Sequence, residues 1–325
     1  MGKLPFESVA RDVILKEESE TDPTMGRWPG ERPVPELIEY GVVNIDKPAG
    51  PTSHQVSDYV QRILGIGKSG HAGTLDPNVT GVLPIALQRA TRIVQALLPA
   101  GKEYVCIMHI HKDVEEKKIR KVFEQFTGKI MQLPPIKSAV KREEREREVY
   151  YQEILEIDGK DVLFRVGCQA GTYIRKLCSD MGKALGTGAH MSELRRTKAA
   201  GFGESTLVTL QDLADAMHYY TEEKNEKLLR SAIQPMETAV SHLPKVWAHD
   251  SAVQALCHGR NLAVPGVSKL HNNLNPGTLV AVMTLKDELI AIGEAQLTSV
   301  AIADQEKGIA VRVDKVFMPE NAYRI

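Results

Sequence analysis

Gly70-His71-Ala72-Gly73-Thr74-Leu75-Asp76-Pro77-Asn78-Val79-Thr80-Gly81-Val82-Leu83 is the stretch on which the reading of this chain turns. Asp76 precedes Pro77, which pushes the aspartate backbone toward the extended region and out of a helix. Gly73 and Gly81 let the backbone turn tightly and let a ligand approach closely. The stretch therefore displays one carboxylate at a set loop position, between a helical pattern upstream and an apolar segment downstream. A solvated turn aspartate would satisfy the same local pattern, so the surroundings must discriminate.

Upstream, YGVVNIDKPAGPTS (40–53) reads as a strand, a Lys-Pro-Ala-Gly-Pro turn and a fresh start. Ser53 suits the N-cap of a helix in which Val56, Tyr59, Val60, Ile63 and Leu64 recur at helical spacing. Gly65 to Gly73 is glycine-dense and reads as a loop. The first 38 residues are rich in Pro, Glu and Arg and lack periodicity, as an extended arm would. Downstream, KEYVCIMHIHK (102–112) is a strand, and VEEKKIRKVFEQFTG (114–128) is an amphipathic helix expected to end at Gly128. KREEREREVYYQEI (141–154) is a charged hairpin candidate and DVLFRVGCQAG (161–171) a further strand. TYIRKLCSDMGKALG (172–186) is a helix with Ile174, Leu177, Cys178, Met181 and Leu185 as its apolar stripe. From His242 onward short strands with turn punctuation predict a small β-barrel or pseudobarrel of about 80 residues. Strands and helices mix without strict β-α-β alternation, which predicts an α+β chain with a mixed, mainly antiparallel sheet flanked by helices.

Composition bounds the function. The chain has 325 residues, 42% of them hydrophobic and 26% charged, ordinary globular values that allow about two domains. No run approaches the roughly 18 apolar residues of a membrane helix, and the N-terminus has no apolar signal core. Cysteines 106, 168, 178 and 257 form no Cys-x-x-Cys pair, so neither a disulfide framework nor a zinc ribbon is supported. These features predict a reduced, intracellular protein. The net charge of −1 hides local excess. Residues 1–40 carry five Lys/Arg against nine Asp/Glu, residues 60–104 five against two, and residues 160–203 eight against three. If the two basic stretches meet in space, they form a face suited to nucleic acid. Ordinary fluctuation along a chain would give similar excesses.

Three nucleotide or nucleophile motifs fail on context. Gly65-Ile66-Gly67-Lys68-Ser69-Gly70 matches G-x-G-x-x-G but follows a helix, where a dinucleotide loop follows a strand. The same segment lacks the first glycine of a P-loop, since position 62 is Arg. Ser69 has His71 two places on, not the glycine of a nucleophile elbow. No His-Glu-x-x-His occurs. No cofactor and no catalytic metal are expected.

The order of residues 70–83 resembles motif I of the TruB/dyskerin family of pseudouridine synthases, which carries a catalytic aspartate. Lys102-Glu103-Tyr104 resembles motif II, whose tyrosine contacts the target base. Gly171-Thr172-Tyr173-Ile174-Arg175 resembles motif III, whose arginine pairs with the aspartate. Met191-Ser192-Glu193-Leu194-Arg195-Arg196-Thr197 resembles the later segment lining the same pocket. Val264-Pro265-Gly266-Val267, Asn275-Pro276-Gly277 and Ile292-Gly293 resemble a PUA domain, an RNA-binding pseudobarrel. The resemblance spans residues 38–325 and is nearest the archaeal dyskerin branch, which carries an acidic arm and no lysine-rich tail.

The resemblance implies three parts: residues 1–38 as an arm packing on the PUA domain, 39–240 as the catalytic domain and 241–325 as the PUA domain. It implies isomerisation of uridine to pseudouridine by Asp76, held by Arg175. Tyr104 would stack on the flipped base, Tyr173 would cover its other side, and Leu194 would line the pocket. His71 would fill the vacated space or hold the flipped nucleotide. Lys68, Arg195, Arg196 and Lys198 would meet phosphates, and residues 141–148 would form a thumb-like loop closing over RNA. The implied setting is an archaeal cytoplasm, away from membranes, with box H/ACA guide RNA, substrate rRNA and tRNA. Three small particle proteins would join it: a zinc-ribbon-like or short extended one, a small β-barrel and a kink-turn binder of ribosomal type. A stand-alone tRNA enzyme acting on the TΨC-arm uridine, and a non-catalytic RNA-binding scaffold, are the competing readings.

Overall fold

The structure is a computed structural model that describes residues 2–134, 141 and 143–323. The chain divides into two compact units, one formed by Met1–Ser8, Asn44–Ile85 and Val94–Met217, the other by Val9–Val43, Ala86–Ile93 and His218–Ile325. The expected α+β class holds for the chain.

The first unit is built on a sheet whose centre is Lys102–Ile110. That strand pairs antiparallel with Asp161–Cys168 on one side and with Ala189–Ala199 on the other. Ala189–Ala199 runs parallel to Thr80–Leu87, with Thr80 opposite Arg195 and Gly81 opposite Arg196. Arg145–Asp158 and Gly128–Gln132 extend the other edge as an antiparallel hairpin. One face is covered by the helices Glu116–Gln125 and Ile174–Leu185. The stripe Ile174, Leu177, Cys178, Met181 and Leu185 is buried against Cys106, Phe123, Phe164 and Val166, as its spacing predicts. Burying such side chains is worth about 1.5–3 kcal/mol each, which holds the second helix at a set depth on the sheet.

Two helix boundaries differ from the sequence reading. The cap of Ser53–Leu64 is Thr52, which accepts the Gln55 N–H at 3.2 Å while the Gln55 side chain accepts the Thr52 N–H at 2.8 Å. This reciprocal pair satisfies two donors, and it leaves the Ser53 hydroxyl for a tertiary contact. The Glu116 helix stops at Gln125, and Gly128, at φ +96°, opens the following strand. Ser69–His71, read as loop, is a short strand.

In the second unit a seven-stranded sheet runs in the order Val13–Leu15, Val267–His271, Lys245–Ala248, Leu279–Met283, Leu289–Ala295, Ile309–Val316, Leu262–Ala263. Val13–Leu15 pairs antiparallel with Val267–His271, so this part of the N-terminal segment is itself a strand of the sheet. The core holds Val246, Leu256, Leu270, Val282, Ile290 and Tyr323, with Ile14 packed on it. Residues 2–8, by contrast, belong to the first unit, where Leu4 is fully buried.

Candidate active site

The loop from Gly70 to Val82 is held rigid from below. Ser53, released from capping, accepts the Leu75 N–H at 2.8 Å and donates to the Leu75 carbonyl at 3.2 Å. Lys47 is fully buried and donates to the carbonyls of Pro48, Pro77 and Val79 at 2.8, 2.8 and 2.9 Å. All three ammonium donors are therefore used, which is what makes a buried lysine tolerable. Gly50 N–H donates to the Pro77 carbonyl at 3.0 Å, and Ala72 N–H to the Pro84 carbonyl at 2.9 Å. Asp76 stands out of this frame with its side chain just over half exposed, ion-paired to Arg175, whose side chain is equally exposed.

Arg175 lies in the first turn of Ile174–Leu185, which begins after Tyr173. The Gln132 side chain fixes that start: its oxygen accepts the Tyr173 N–H at 3.0 Å and its amide donates to the Tyr173 carbonyl at 3.3 Å. Tyr173 is half-buried in a cleft lined also by Gln132, Pro134, Arg145, Arg147 and Gly171. Tyr104 is half-buried on the central strand, opposite Arg196. Burial pushes its hydroxyl above the usual tyrosine range, and the charge of the Arg196 guanidinium partly opposes that push.

His71 is half-buried, with Nδ1 enclosed and unbonded. Burial, then the charges of His54 and Arg196, lower its pKa, so its imidazole is neutral at pH 7. Leu194 is half-buried and faces Cys106 across the strands. Lys68 is exposed. Of the expected 141–148 loop, residue 142 lies outside the described residues, and Arg145 already opens a strand.

Three of the four cations expected at phosphates are engaged elsewhere. Arg196 is 1% exposed and donates from Nε to the Val82 carbonyl at 2.7 Å and from Nη2 to the Gly73 carbonyl at 3.2 Å. A guanidinium enclosed in this way has no path to a phosphate, so that expectation fails for Arg196. Arg195 grips Asp46 in a fork at 2.9 and 3.1 Å and Glu204 at 2.7 Å. Lys198 donates to Glu7 at 2.7 Å, beside the buried Glu103, which also takes bonds from Tyr151 and Thr197. Both cations are about a third exposed and are paired within the fold, Arg195 with Asp46 and Glu204 and Lys198 with Glu7. Lys47 and Gln132 had no role in the sequence reading, and Ser53 had only that of a helix cap. Lys47-Pro48 was legible only as a turn, and nothing near Gln132 hints at Tyr173.

The site thus offers one exposed carboxylate on a rigid loop, a guanidinium holding it, and tyrosines on the neighbouring strand and helix start. Residues 61–174 match the model of the TruB family pseudouridylate synthase N-terminal domain, and 175–241 that of the tRNA pseudouridylate synthase B C-terminal domain. Residues 244–317 match the PUA domain and 3–57 the DKCLD (NUC011) domain. The "Probable tRNA pseudouridine synthase B" of Pyrococcus abyssi is 59% identical over 97% of this chain and 95% of its own length. The protein of that name from Methanosarcina barkeri is 54% identical over 99% and 95%. Among solved structures, a chain of a Cbf5-Nop10-Gar1 complex superposes with a TM-score of 0.94 at 57% identity, covering 99% of this chain and 98% of that one. A chain of an H/ACA RNP bound to a substrate RNA containing 2'-deoxyuridine does so with a TM-score of 0.93 at 54% identity, covering 99% of each. Matched from its N-terminal segment through its PUA domain, and carrying Asp76 paired with Arg175, the chain belongs to the TruB/dyskerin family of pseudouridine synthases, isomerases of RNA uridines.

Proposed function

We propose that this protein is the catalytic subunit of an H/ACA guide-RNA particle, acting on rRNA, and that it also modifies the TΨC-arm uridine of tRNA, uracil-55. In this reading residues 39–240 carry the chemistry, 241–325 hold guide RNA, and the 1–38 arm supports the latter through Val13–Leu15, while its residues 2–8 belong to the first unit. The partners are the guide RNA and three small proteins: one zinc-ribbon-like or extended, one a small β-barrel, one a kink-turn binder. The likeness over nearly the whole chain to proteins solved with Nop10, Gar1 and substrate RNA supports those partners. The names of the curated relatives support tRNA as a substrate. No helix among the described residues is long and apolar enough to cross a membrane; an archaeal cytoplasm is the proposed setting.

The observation that carries the chemistry is the Asp76–Arg175 pair. Forming pseudouridine breaks the C1'–N1 bond, forms C1'–C5, moves the C5 proton to solvent and leaves a proton on N1. Atoms balance without redox change, so a carboxylate nucleophile suffices. Asp76 acts on the nucleotide while Arg175 keeps it charged and aimed. Tyr104 stacks on the flipped uracil, Tyr173 and Leu194 close the pocket, and neutral His71 occupies the gap left in the RNA stack. Lys68 contacts phosphate.

The test is tritium release from C5-labelled uridine. A tRNA transcript with the protein alone, and rRNA with guide and partner proteins, are assayed side by side. Turnover in both, lost in Asp76→Asn, is the expected result. Activity on tRNA alone leaves a stand-alone enzyme; silence in both, with RNA still bound, leaves the scaffold.

A further inference from the structure

We propose that Arg196 is the positioning residue of the uridine pocket, a single buried guanidinium that clasps the aspartate loop to the Tyr104 strand. The inference rests on the pocket assignment above but concerns a residue that cannot reach RNA.

The backbone makes the first half of the clasp. Parallel pairing places Gly81 opposite Arg196, and a Cβ built on Gly81 would lie 2.2 Å from the Arg196 carbonyl oxygen. Only glycine, here at φ +99°, allows that approach. The side chain makes the other half. It reaches back across the loop to the carbonyls of Val82 and Gly73, the two ends of the segment that displays Asp76. On the antiparallel side Arg196 stands opposite Tyr104 in the strand register, close enough for its charge to act on the Tyr104 hydroxyl. One planar group thus fixes both ends of the aspartate loop against the strand that bears the base-facing tyrosine.

The cost of this arrangement argues for a purpose. The hydrogen-bonded partners of the Arg196 side chain are two carbonyls, neither of them an acid. Close by, Lys102 is also buried, with all its donors on the carbonyls of Leu97, Leu98 and Ala100. Burial, and then the charge of Arg196, pushes Lys102 down to about 8. Two buried cations side by side without a carboxylate are expensive, and an apolar side chain of similar volume often fills such a place at lower cost. What an apolar side chain lacks is directional grip on the Val82 and Gly73 carbonyls at once. The reaction needs that grip: the uracil must leave C1', turn and present C5 while the walls keep their separation. Because the donors go to neutral groups, Asp76 keeps its own charge for the substrate.

The experiment uses the full chain, the tritium assay and single-turnover analysis on Arg196→Lys, Arg196→Met, Tyr104→Phe and the Arg196→Met/Tyr104→Phe double variant. Wild-type turnover tests the pocket assignment independently of Arg196. The expected result is a kcat loss of about 30-fold or more in folded Arg196 variants, with KM within about threefold. The double variant should lose less than the product of the single losses, because both changes break one clasp. A folded Arg196 variant with kcat within about threefold of wild type, a loss carried by KM, or a fully multiplicative double variant overturns the proposal. If circular dichroism shows both Arg196 variants unfolded, ¹⁵N-arginine spectra of wild type and Tyr104→Phe decide. Wild-type spectra must show a buried arginine Nε–H held in a hydrogen bond and protected from solvent exchange, and loss of the Tyr104 hydroxyl must shift a guanidinium resonance of that same arginine; a fast-exchanging or unmoved set overturns the clasp.

Discussion

Asp76 and Arg175, brought together from the loop before Thr80–Leu87 and from the first turn of Ile174–Leu185, form an ion pair in which both side chains remain more than half exposed. A solvated pair of this kind is worth about 0–1 kcal/mol, so its significance is chemical, not stabilising. Asp76→Asn should therefore abolish turnover, by about 10³-fold or more, while the thermal midpoint moves by no more than a few degrees and RNA affinity stays within about twofold. Arg175→Met should cost about 10²-fold in turnover by misaiming the carboxylate. Calorimetry, filter binding and tritium release on the same preparations check all three statements. A large drop in stability would mean that the pair is structural.

Gly81→Ala should damage both fold and activity. The new Cβ would meet the Arg196 carbonyl at 2.2 Å in a backbone conformation at φ +99° that L-residues avoid. The expected loss is about 2–4 kcal/mol in urea unfolding, with turnover falling further than the unfolded fraction explains.

In the second unit, Arg32 and Glu237 form a buried fork with both bonds at 2.8 Å, and Glu237 also accepts the Leu289 N–H at 3.0 Å. Removing the acid leaves a buried guanidinium without its main partner. Glu237→Leu should cost about 3–5 kcal/mol, and Arg32→Met in the same chain should recover part of it. Denaturant melts of the single and double variants measure the recovery; no recovery would contradict the assignment of the cost to the stranded charge.

His271 supplies a pH prediction. Its Nδ1 accepts the Lys245 N–H at 2.9 Å, and burial, then the charges of Arg11 and Lys245, push its pKa down to about 4. Between the ordinary histidine value near 6.5 and about 4, the unfolded chain binds a proton that the folded chain refuses. Stability from this residue is therefore complete above about pH 6.5 and falls as pH drops toward 4. The loss is up to about 2 kcal/mol after allowing for partial exposure. Urea midpoints at pH 7 and pH 4.5 should differ more in wild type than in His271→Asn, whose amide oxygen can still accept the Lys245 N–H. Equal differences would remove His271 from the account.

Local order in the chain determined a good deal. The Gly70–Leu83 segment announced a displayed carboxylate, because proline and two glycines restrict the backbone wherever they occur. The stripe from Ile174 to Leu185 announced a buried helix face, and it is buried as the spacing requires. The punctuated short strands after His242 announced a second β-rich core, to which the helices Asp250–Cys257 and Ser299–Asp304 also contribute. Pairings between remote residues were not legible. Arg195, Arg196 and Lys198 read as a basic run, yet Asp46 and Glu204 take the first, the Val82 and Gly73 carbonyls the second, and Glu7 the third. Thr52, not Ser53, caps its helix because Ser53 is claimed by Leu75. In each case a sequence shows which charge or hydroxyl a residue carries. Strand register and packing decide which distant group it meets, and burial then decides whether it is spent inside the fold or left for the substrate.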